Sequence, residues 1–541
     1  MKALINKAAL FFLSIRESVL KKADPIFLLF ILLITNYRFS LKIIAIIAIY
    51  IYRPNFKFKK SGVIYFYIGI IVLAIFNLLV INNNLHYNYI MVVLSGCLIW
   101  AACLLVFHQL VLFIELNTVD KIINSIKILV FLNFLCSLYD LFKIMIITHT
   151  LNPYTLISPP PYGISSGDLI GGVYGEMHLV NMTISSMMLI FFLYQKNFVY
   201  ILFSIIPLLL TGSNFGTLIS IASLGYIFII KNENITRYYI AFSIAIVLVF
   251  YIKVTPENLS YLKNSLTKIT HQVEHKPKVK VAVSDSNQPP QKSAEDIKIE
   301  KINNYSAYKY GKNFNNDTVY HLKQAYIQQQ QKLLRDKEDY THYVKDSIKK
   351  AKEKDKRFEY GKLKKFDFNS KSGKLISFMQ TKDLLQSNWK YFLFGAGLGS
   401  FSSRLAFITS GIVDDSRVLM RIPKYENPLF ANNHEAIFRY LLFLDDEYHS
   451  VTNLPFCWYN ELLGEYGIIG LILFSLFYLG FFIKKIRLLT FGKLLLVTIL
   501  IFFLFDYWYQ RLSVMVLFEL LMLLDIKIQS EKAHKHLEEK K

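Results

Sequence analysis

Residues 459–470 are Tyr459-Asn460-Glu461-Leu462-Leu463-Gly464-Glu465-Tyr466-Gly467-Ile468-Ile469-Gly470, and they lead directly into the apolar run Leu471–Ile483. Further ionisable residues precede this stretch: His434, Glu435, Arg439, Asp445, Asp446, Glu447 and His449. Placing such side chains beside a hydrocarbon layer costs free energy, so polar clusters there often have a function. The stretch therefore indicates either a site at the mouth of a membrane helix or an interfacial loop of solvated charges.

The composition of the chain is that of a membrane protein. Its 541 residues are 54% hydrophobic and only 18% charged, and the mean hydropathy is +0.35. Apolar runs long enough to cross a bilayer recur along the chain. Because the first run is followed by many others, we do not interpret it as a cleaved signal. Residues 1–23 instead predict a basic helix that lies in the membrane interface.

Twelve apolar runs predict an all-α polytopic membrane protein. Basic residues in short loops favour the cytoplasmic side, so Lys57–Lys60, Lys231, Arg237 and Lys484–Arg487 place both termini in the cytoplasm. The predicted spans are 25–37, 40–52, 62–81, 88–113, 122–147, 177–194, 198–210, 215–230, 238–253, 461–483, 491–506 and 512–526.

This topology leaves a large, partly helical loop outside, between the ninth and tenth spans. We divide the chain into residues 1–253 (interfacial helix and nine spans), 254–388 (basic insertion), 389–460 (loop carrying the site) and 461–541 (three spans and a tail). The insertion contains 27 Lys and Arg against 16 Asp and Glu, a net charge of +11. Its residues 271–316 predict a flexible segment, and residues 318–358 predict a long helix. Its charge is typical either of a solvated insertion or of a surface attracted to anionic headgroups or an acidic glycan.

Several function classes have no support in the sequence. The four cysteines have no metal-ligand spacing and form no disulfide framework. Neither a Walker loop nor a dinucleotide fingerprint is present, and no nucleic-acid-binding fold is recognisable. We therefore predict no metal, no cofactor and no nucleic-acid partner.

A glycine-rich stretch followed by arginines suggests phosphate binding. The stretch Gly395-Ala396-Gly397-Leu398-Gly399 allows tight turns and close approach of the backbone to a ligand. Guanidinium groups bind phosphate oxygens through paired hydrogen bonds and stay charged. The candidate ligands for a lipid-linked diphosphate are Arg404, Arg417, Arg421 and Arg439.

The remaining candidates would act on an acceptor hydroxyl. His449 is the first candidate for a catalytic base, because an imidazole pKa near 6.5 suits proton transfer at neutral pH. His434 and Glu465 are the alternatives, although Glu465 could instead cap or orient the helix at Tyr466-Gly467. Tyr459, Asn460 and Glu461 are the candidate substrate-binding residues, and the family resemblance described next implies that they bind glycan.

The chain resembles the O-antigen ligase and O-antigen polymerase (Wzy-type) superfamily of bacterial inner membranes. The shared features are twelve spans, a large outer loop between the ninth and tenth, the glycine stretch at 395–399 and the motif at 459–470. Two shorter segments also resemble family segments: Thr211-Gly212-Ser213-Asn214-Phe215-Gly216-Thr217 and Gly172-Val173-Tyr174-Gly175-Glu176-Met177-His178-Leu179-Val180-Asn181. The resemblance implies transfer of a glycan from undecaprenyl diphosphate to a sugar hydroxyl at the periplasmic face, without a metal or a nucleotide sugar.

Two departures from the family pattern bear on the choice between polymerase and ligase. Phe456-Cys457 stands where family ligases carry His-Asn, and Asn214 stands where an Arg is expected after Ser213. Because polymerases vary far more in sequence, we expect a polymerase that joins undecaprenyl-diphosphate-linked oligosaccharide repeat units into O-antigen or capsular polysaccharide. The alternatives are a ligase that moves the glycan to lipid A core or protein, and a transporter or flippase of lipid-linked sugar. The expected partners are the lipid-linked oligosaccharide, membrane lipids, a chain-length regulator and a flippase.

Overall fold

The structure is a computed structural model that describes residues 22–81, 86–155, 166–175, 178–255, 366, 368, 371–412, 423–441 and 453–539. These residues form helices and turns, with no strand among them, which confirms the all-α prediction for this part of the chain. They belong to the unit made of residues 1–269 and 365–541. The predicted interfacial helix over 1–23 falls almost entirely outside the described residues. The predicted flexible segment and long helix of the insertion fall wholly outside them.

The helices before the large loop follow the predicted apolar runs closely. Two of them, α3 and α9, continue into π-helical turns over Asn77–Ile81 and Phe250–Val254. The bounds are α1 Pro25–Thr35, α2 Phe39–Tyr52, α3 Gly62–Phe76, α4 Tyr87–Leu116, α5 Val119–Thr148, α6 His178–Tyr194, α7 Phe198–Leu210, α8 Asn214–Ile230 and α9 Asn234–Val249.

The helices after the large loop fall into two groups. One group precedes the motif at 459–470, and the other contains the motif and follows it. The bounds are α10 Gly373–Ser387, α11 Trp389–Phe394, α12 Arg404–Thr409, α13 Ala436–Leu441, α14 Trp458–Leu473, α15 Phe491–Phe502 and α16 Leu512–Glu538. Helix α14 continues through a π-helical segment, Phe474–Leu479, to Ile483.

Five segments among the described residues are long and apolar enough to cross a membrane: Gly62–Val80, Tyr87–Leu116, Val119–Thr148, Asn234–Val254 and Trp458–Ile483. Six shorter apolar helices accompany them, namely α1, α2, α6, α7, α8 and α15. This set of long and short apolar helices is that of a membrane-embedded helical protein.

The first half of α16 is the centre of the helical core. Every residue of Leu512–Asp525 is buried, and an apolar helix without a polar face needs neighbours on all sides. Helices α4, α6 and α15 pack against it. Three polar residues interrupt its apolar character: Ser513, Glu519 and Asp525. The Glu519 carboxylate accepts hydrogen bonds from the hydroxyls of Tyr67 at 2.6 Å and Tyr478 at 3.1 Å.

The short helices of the loop are tied to the start of α14. Asn460 lies on the first turn of α14 and is fully buried. Its side-chain oxygen accepts a hydrogen bond from Thr381 at 3.0 Å, and its amide nitrogen donates to Ser377 at 2.8 Å. Both partners lie on α10, so this one amide fastens α10 to the helix that carries the motif.

Candidate functional site

The glycine stretch and the motif on α14 meet directly, although about sixty residues separate them. The fully buried carboxylate of Glu465 accepts hydrogen bonds from the backbone amides of Gly399 at 2.7 Å, Ser402 at 2.9 Å and Ser403 at 2.8 Å. A fourth bond comes from the amide of Phe401 at 3.1 Å. One carboxylate therefore sets the path of the whole turn between Gly399 and Ser403.

The backbones of these two stretches also touch. The amide of Ala396 donates to the carbonyl of Gly464 at 2.8 Å. Gly467 interrupts the helical geometry of α14 with φ +64°, and a Cβ there would lie 2.5 Å from the carbonyl oxygen of Leu393. A backbone this close leaves no room for a side chain, and a positive φ favours glycine. The glycines of both motifs are therefore needed to join the loop to α14.

The hydrogen bonds of Glu465 bear on the choice between a catalytic and an orienting role. Four backbone donors surround its two oxygens, so the acceptor capacity of the carboxylate is largely used inside the protein. This geometry favours the orienting role over direct action on a substrate.

Glu461 lies one turn before Glu465 and is enclosed as well. Its Oε1 accepts a hydrogen bond from Gln510 at 2.5 Å, and the same Gln510 accepts one from the backbone amide of Leu405 at 3.0 Å. Its Oε2 is buried and has no hydrogen-bond partner among the described residues. Of the three residues predicted to bind glycan, Glu461 is the one with a side-chain oxygen that has no hydrogen-bond partner among the described residues.

The other two glycan candidates have partners inside the protein. The Tyr459 hydroxyl donates to the carbonyl of Leu500 on α15 at 2.9 Å, and Asn460 is held by α10. Both side chains brace α14 against neighbouring helices. Their predicted contacts with glycan stay predictions.

His434 is fully buried and lies beside the turn between Gly399 and Ser403, which we call the glycine turn. Its ring packs edge-to-face against Phe401, with 4.6 Å between the ring centroids. Neither ring nitrogen has a hydrogen-bond partner among the described residues. Burial without a partner disfavours the charged imidazolium and lowers the pKa of His434 to about 3. The imidazole is therefore neutral at physiological pH, next to the turn that Glu465 holds.

The predicted diphosphate ligands divide into three cases. Arg404 is buried at the start of α12, directly after the turn held by Glu465. Arg439 forms an ion pair with Glu435, four residues earlier. Arg417 and Arg421 lie outside the described residues, as does His449, the first candidate for the base.

Three charged residues near this site were not predicted. Lys374 on α10 is buried, and its ammonium donates to the carbonyls of Leu454 and Phe456, just before α14. Burial lowers the pKa of Lys374 to about 8. Arg511 and Asp506 form a buried ion pair, with 2.6 Å between Nε and Oδ2. In the sequence, the pair is visible only as two opposite charges in the short segment between α15 and α16.

A second polar pair lies on the 148–176 segment and the start of α6. Nδ1 of His178 is 3.1 Å from Oδ1 of Asp168, and the two side chains are 20% and 38% exposed. The charges of Arg511 and Asp506 also act on the His178 imidazole. His178 is part of a segment that the sequence singled out as family-like, but nothing in the local sequence indicated its pairing with Asp168.

No three His, Cys, Asp or Glu side chains in the described part of the chain lie together as metal ligands would. Comparison of the chain with protein-family models, with curated proteins and with solved structures gives no match.

Proposed function

We propose that this protein is a membrane glycosyltransferase, a polymerase that joins undecaprenyl-diphosphate-linked oligosaccharide repeat units at the periplasmic face of a bacterial inner membrane. The observation that carries the proposal is the junction at Glu465. The glycine turn, which we expect to approach a diphosphate, is held on the mouth of Trp458–Ile483, a helix long enough to cross a membrane. A lipid-linked substrate presents its diphosphate at this depth.

The proposed topology has twelve crossings, with both termini in the cytoplasm and residues 254–460 in the periplasm. It is supported by the basic residues Lys484, Lys485 and Arg487 directly after Ile483, the end of α14. Basic residues in a short connection favour the cytoplasmic side. The N-terminal end of α14, with Glu461 and Glu465, then faces the periplasm.

The proposed roles follow from charge and position. Arg404 neutralises the diphosphate as it leaves, because its buried position strengthens a charge-assisted hydrogen bond. Arg417, Arg421 and Arg439 are proposed as further ligands, and Arg439 must exchange the Glu435 carboxylate for phosphate to act as one. Glu461 is proposed to accept a hydrogen bond from the acceptor sugar through Oε2, which is buried and must become accessible when the substrate binds. The growing chain on its carrier is the donor, and the incoming repeat unit supplies the hydroxyl.

One observation favours transport as a second candidate function. Glu519 lies in the buried first half of α16 and is hydrogen-bonded to Tyr67 and Tyr478. Ionisable residues at such depth often belong to substrate or proton pathways in transporters. The alternative is a flippase of lipid-linked sugar, with Glu519 on its path.

One reconstitution separates the two candidates. Purified protein is placed in liposomes with lipid-linked repeat units extracted from the cells that make it. Polymerisation produces a ladder of products that differ by one repeat unit, whereas transport moves intact lipid-linked units to the opposite leaflet. The polymerase proposal fails if single repeat units are moved across the bilayer and no linked product forms. If no linked product forms and no lipid-linked units move, both proposals are contradicted.

A further inference from the structure

The pair formed by His178 and Asp168 has the geometry of a general base with an orienting carboxylate. The imidazole uses Nδ1 toward Asp168 Oδ1 at 3.1 Å, which leaves Nε2 as the nitrogen that can accept a proton. A carboxylate in this position fixes the tautomer and stabilises the imidazolium formed after proton transfer. Both side chains retain some solvent exposure, so a proton taken up there can be returned to water.

The loop that carries Asp168 is held firmly, as a catalytic pair requires. The Ser166 hydroxyl donates to the carbonyl of Pro153 at 2.7 Å, and the amide of Gly172 donates to Asp140 Oδ2 at 2.9 Å. A Cβ on Gly167 would overlap the carbonyl of Thr211, so only glycine lets the loop lie this close to the turn after α7. Support of this kind keeps a polar pair in one geometry.

Helices α5 and α6 also hold the loop that carries Asp168. Asn133 on α5 donates to Asn181 on α6 at 2.8 Å and accepts a hydrogen bond from the amide of Val173 at 3.2 Å. Asn181 in turn donates to the carbonyl of Ile170 at 3.2 Å. Two buried amides therefore connect the helix that begins at His178 to the loop that carries Asp168.

The pair is linked to the site on α14 by the short segment between α15 and α16. Gln510 contacts Glu461 and the backbone of Leu405 on one side. Its neighbour Arg511, with Asp506, acts electrostatically on His178. The segment 506–511 therefore contacts the site on α14 through Gln510 and acts on the histidine pair through the charges of Asp506 and Arg511.

We infer that His178 is the general base of the proposed polymerase and that Asp168 is its positioning residue. The inference rests on the proposed function. Nε2 of His178 takes the proton of the acceptor hydroxyl as the hydroxyl oxygen bonds to the anomeric carbon of the donor. The bond between that carbon and the phosphate oxygen breaks, and undecaprenyl diphosphate leaves with the electron pair. His178 then releases its proton to water.

His434 is a poorer candidate for the base than His178. It is fully enclosed, and neither ring nitrogen has a hydrogen-bond partner among the described residues. It therefore has neither the exposure nor the orienting carboxylate that His178 has.

The test is elongation by purified full-length protein in liposomes, with lipid-linked repeat units extracted from the producing cells. We expect His178→Ala to lower kcat by on the order of 10²-fold or more, while the affinity for the lipid-linked unit stays near that of the wild type. Asp168→Asn should lower kcat less, without a change in KM. Free imidazole should restore part of the rate of His178→Ala, because it can occupy the space and accept the proton.

His149→Asn is the matched control, since His149 is exposed at the end of α5 and asparagine accepts its left-handed backbone. It should elongate like the wild type. The inference is overturned if His178→Ala elongates at the wild-type rate, or if it loses elongation without any rescue by imidazole while still binding donor. An inactive wild-type protein overturns the proposed function instead, and the inference with it.

Discussion

The backbone amide of Ser403 donates a 2.8 Å hydrogen bond to the carboxylate of Glu465, across 62 positions of sequence. This bond and its three companions from the same turn fix the loop that precedes the buried Arg404. Charge-assisted hydrogen bonds to a buried carboxylate are among the stronger polar contacts in proteins. The position of the proposed diphosphate ligand therefore depends on a glutamate that does not itself need to touch the substrate.

Replacing Glu465 by glutamine should destabilise the protein and weaken activity indirectly. The substitution removes the charge and turns a donor toward amides that need an acceptor, which costs about 2–4 kcal/mol of unfolding free energy. Thermal unfolding in detergent measures the loss. Glu539→Gln, at the exposed end of α16, is the control and should unfold like the wild type. An unchanged unfolding temperature for Glu465→Gln would show that the four bonds contribute nothing.

Two glycine-to-alanine substitutions should have opposite effects. Gly467 has φ +64° and no room for a Cβ, so Gly467→Ala should cost about 1–3 kcal/mol. Gly225, inside α8, has nothing within 4 Å of where a Cβ would stand, so Gly225→Ala should be neutral or stabilise the helix by up to about 1 kcal/mol. The unfolding temperatures of the two variants test whether the backbone at Gly467 packs directly against the backbone at Leu393. Equal effects would contradict the close approach at Gly467.

The stability of the protein should depend on pH through His434. Its pKa falls from 6.5 to about 3 on folding, so below pH 6.5 the unfolded chain binds a proton that the folded protein does not. Stability therefore falls as the pH drops through this window, by about 2 kcal/mol between pH 6.5 and 5. Unfolding measured at both pH values checks this. His434→Leu should lose this part of the pH dependence, whereas His149→Asn should keep it.

The arginines should differ in their importance for elongation. Lysine cannot reproduce the two parallel hydrogen bonds of a guanidinium, so Arg404→Lys should raise the barrier by about 2–4 kcal/mol. Arg439→Lys should cost less, because a lysine ammonium can keep the ion pair with Glu435. Arg237→Lys, on the opposite side in the proposed topology, is the control. If each of the four lysine variants, at positions 404, 417, 421 and 439, still makes full-length polymer, the proposal that these arginines bind the diphosphate is contradicted.

The proposed topology can be tested by labelling. A cysteine introduced near residue 290 should react with an impermeant maleimide in whole spheroplasts, and a cysteine at Lys485 should react only after lysis. The native cysteines are replaced by serine beforehand, because Cys97 and Cys136 are only partly buried. Labelling near residue 290 only after lysis would place the loop in the cytoplasm and contradict the proposed function as well.

Local sequence patterns were sufficient to predict most helices. The break between the seventh and eighth runs was visible because Gly212 and Ser213 interrupt the apolar pattern, and Ser213 caps α8 through the amide of Gly216 at 3.2 Å. Residue 526 was predicted as the end of the last membrane span, and the helix that contains this span extends beyond it. Helix α16 continues to Glu538, since its charged residues are good helix formers although they cannot enter a hydrocarbon layer.

The pairings between distant segments could not be predicted in the same way. The sequence suggested that Glu465 orients a helix, but not that its partners are the amides of residues 399–403. The pairs Asp506–Arg511 and Asp168–His178 likewise depend on how loops fold over the helix ends. Periodicity reports which face of a helix is apolar, and it contains no information about which loop covers that face.

In the proposed reaction, a glycosidic bond between repeat units forms as the bond between a sugar and a lipid diphosphate breaks. Mass spectrometry can count both products, with purified protein in liposomes and lipid-linked repeat units as the only substrate. We expect one undecaprenyl diphosphate to be released for each new linkage between repeat units. Movement of intact lipid-linked units across the bilayer, with no diphosphate lipid released and no linked product, would contradict it.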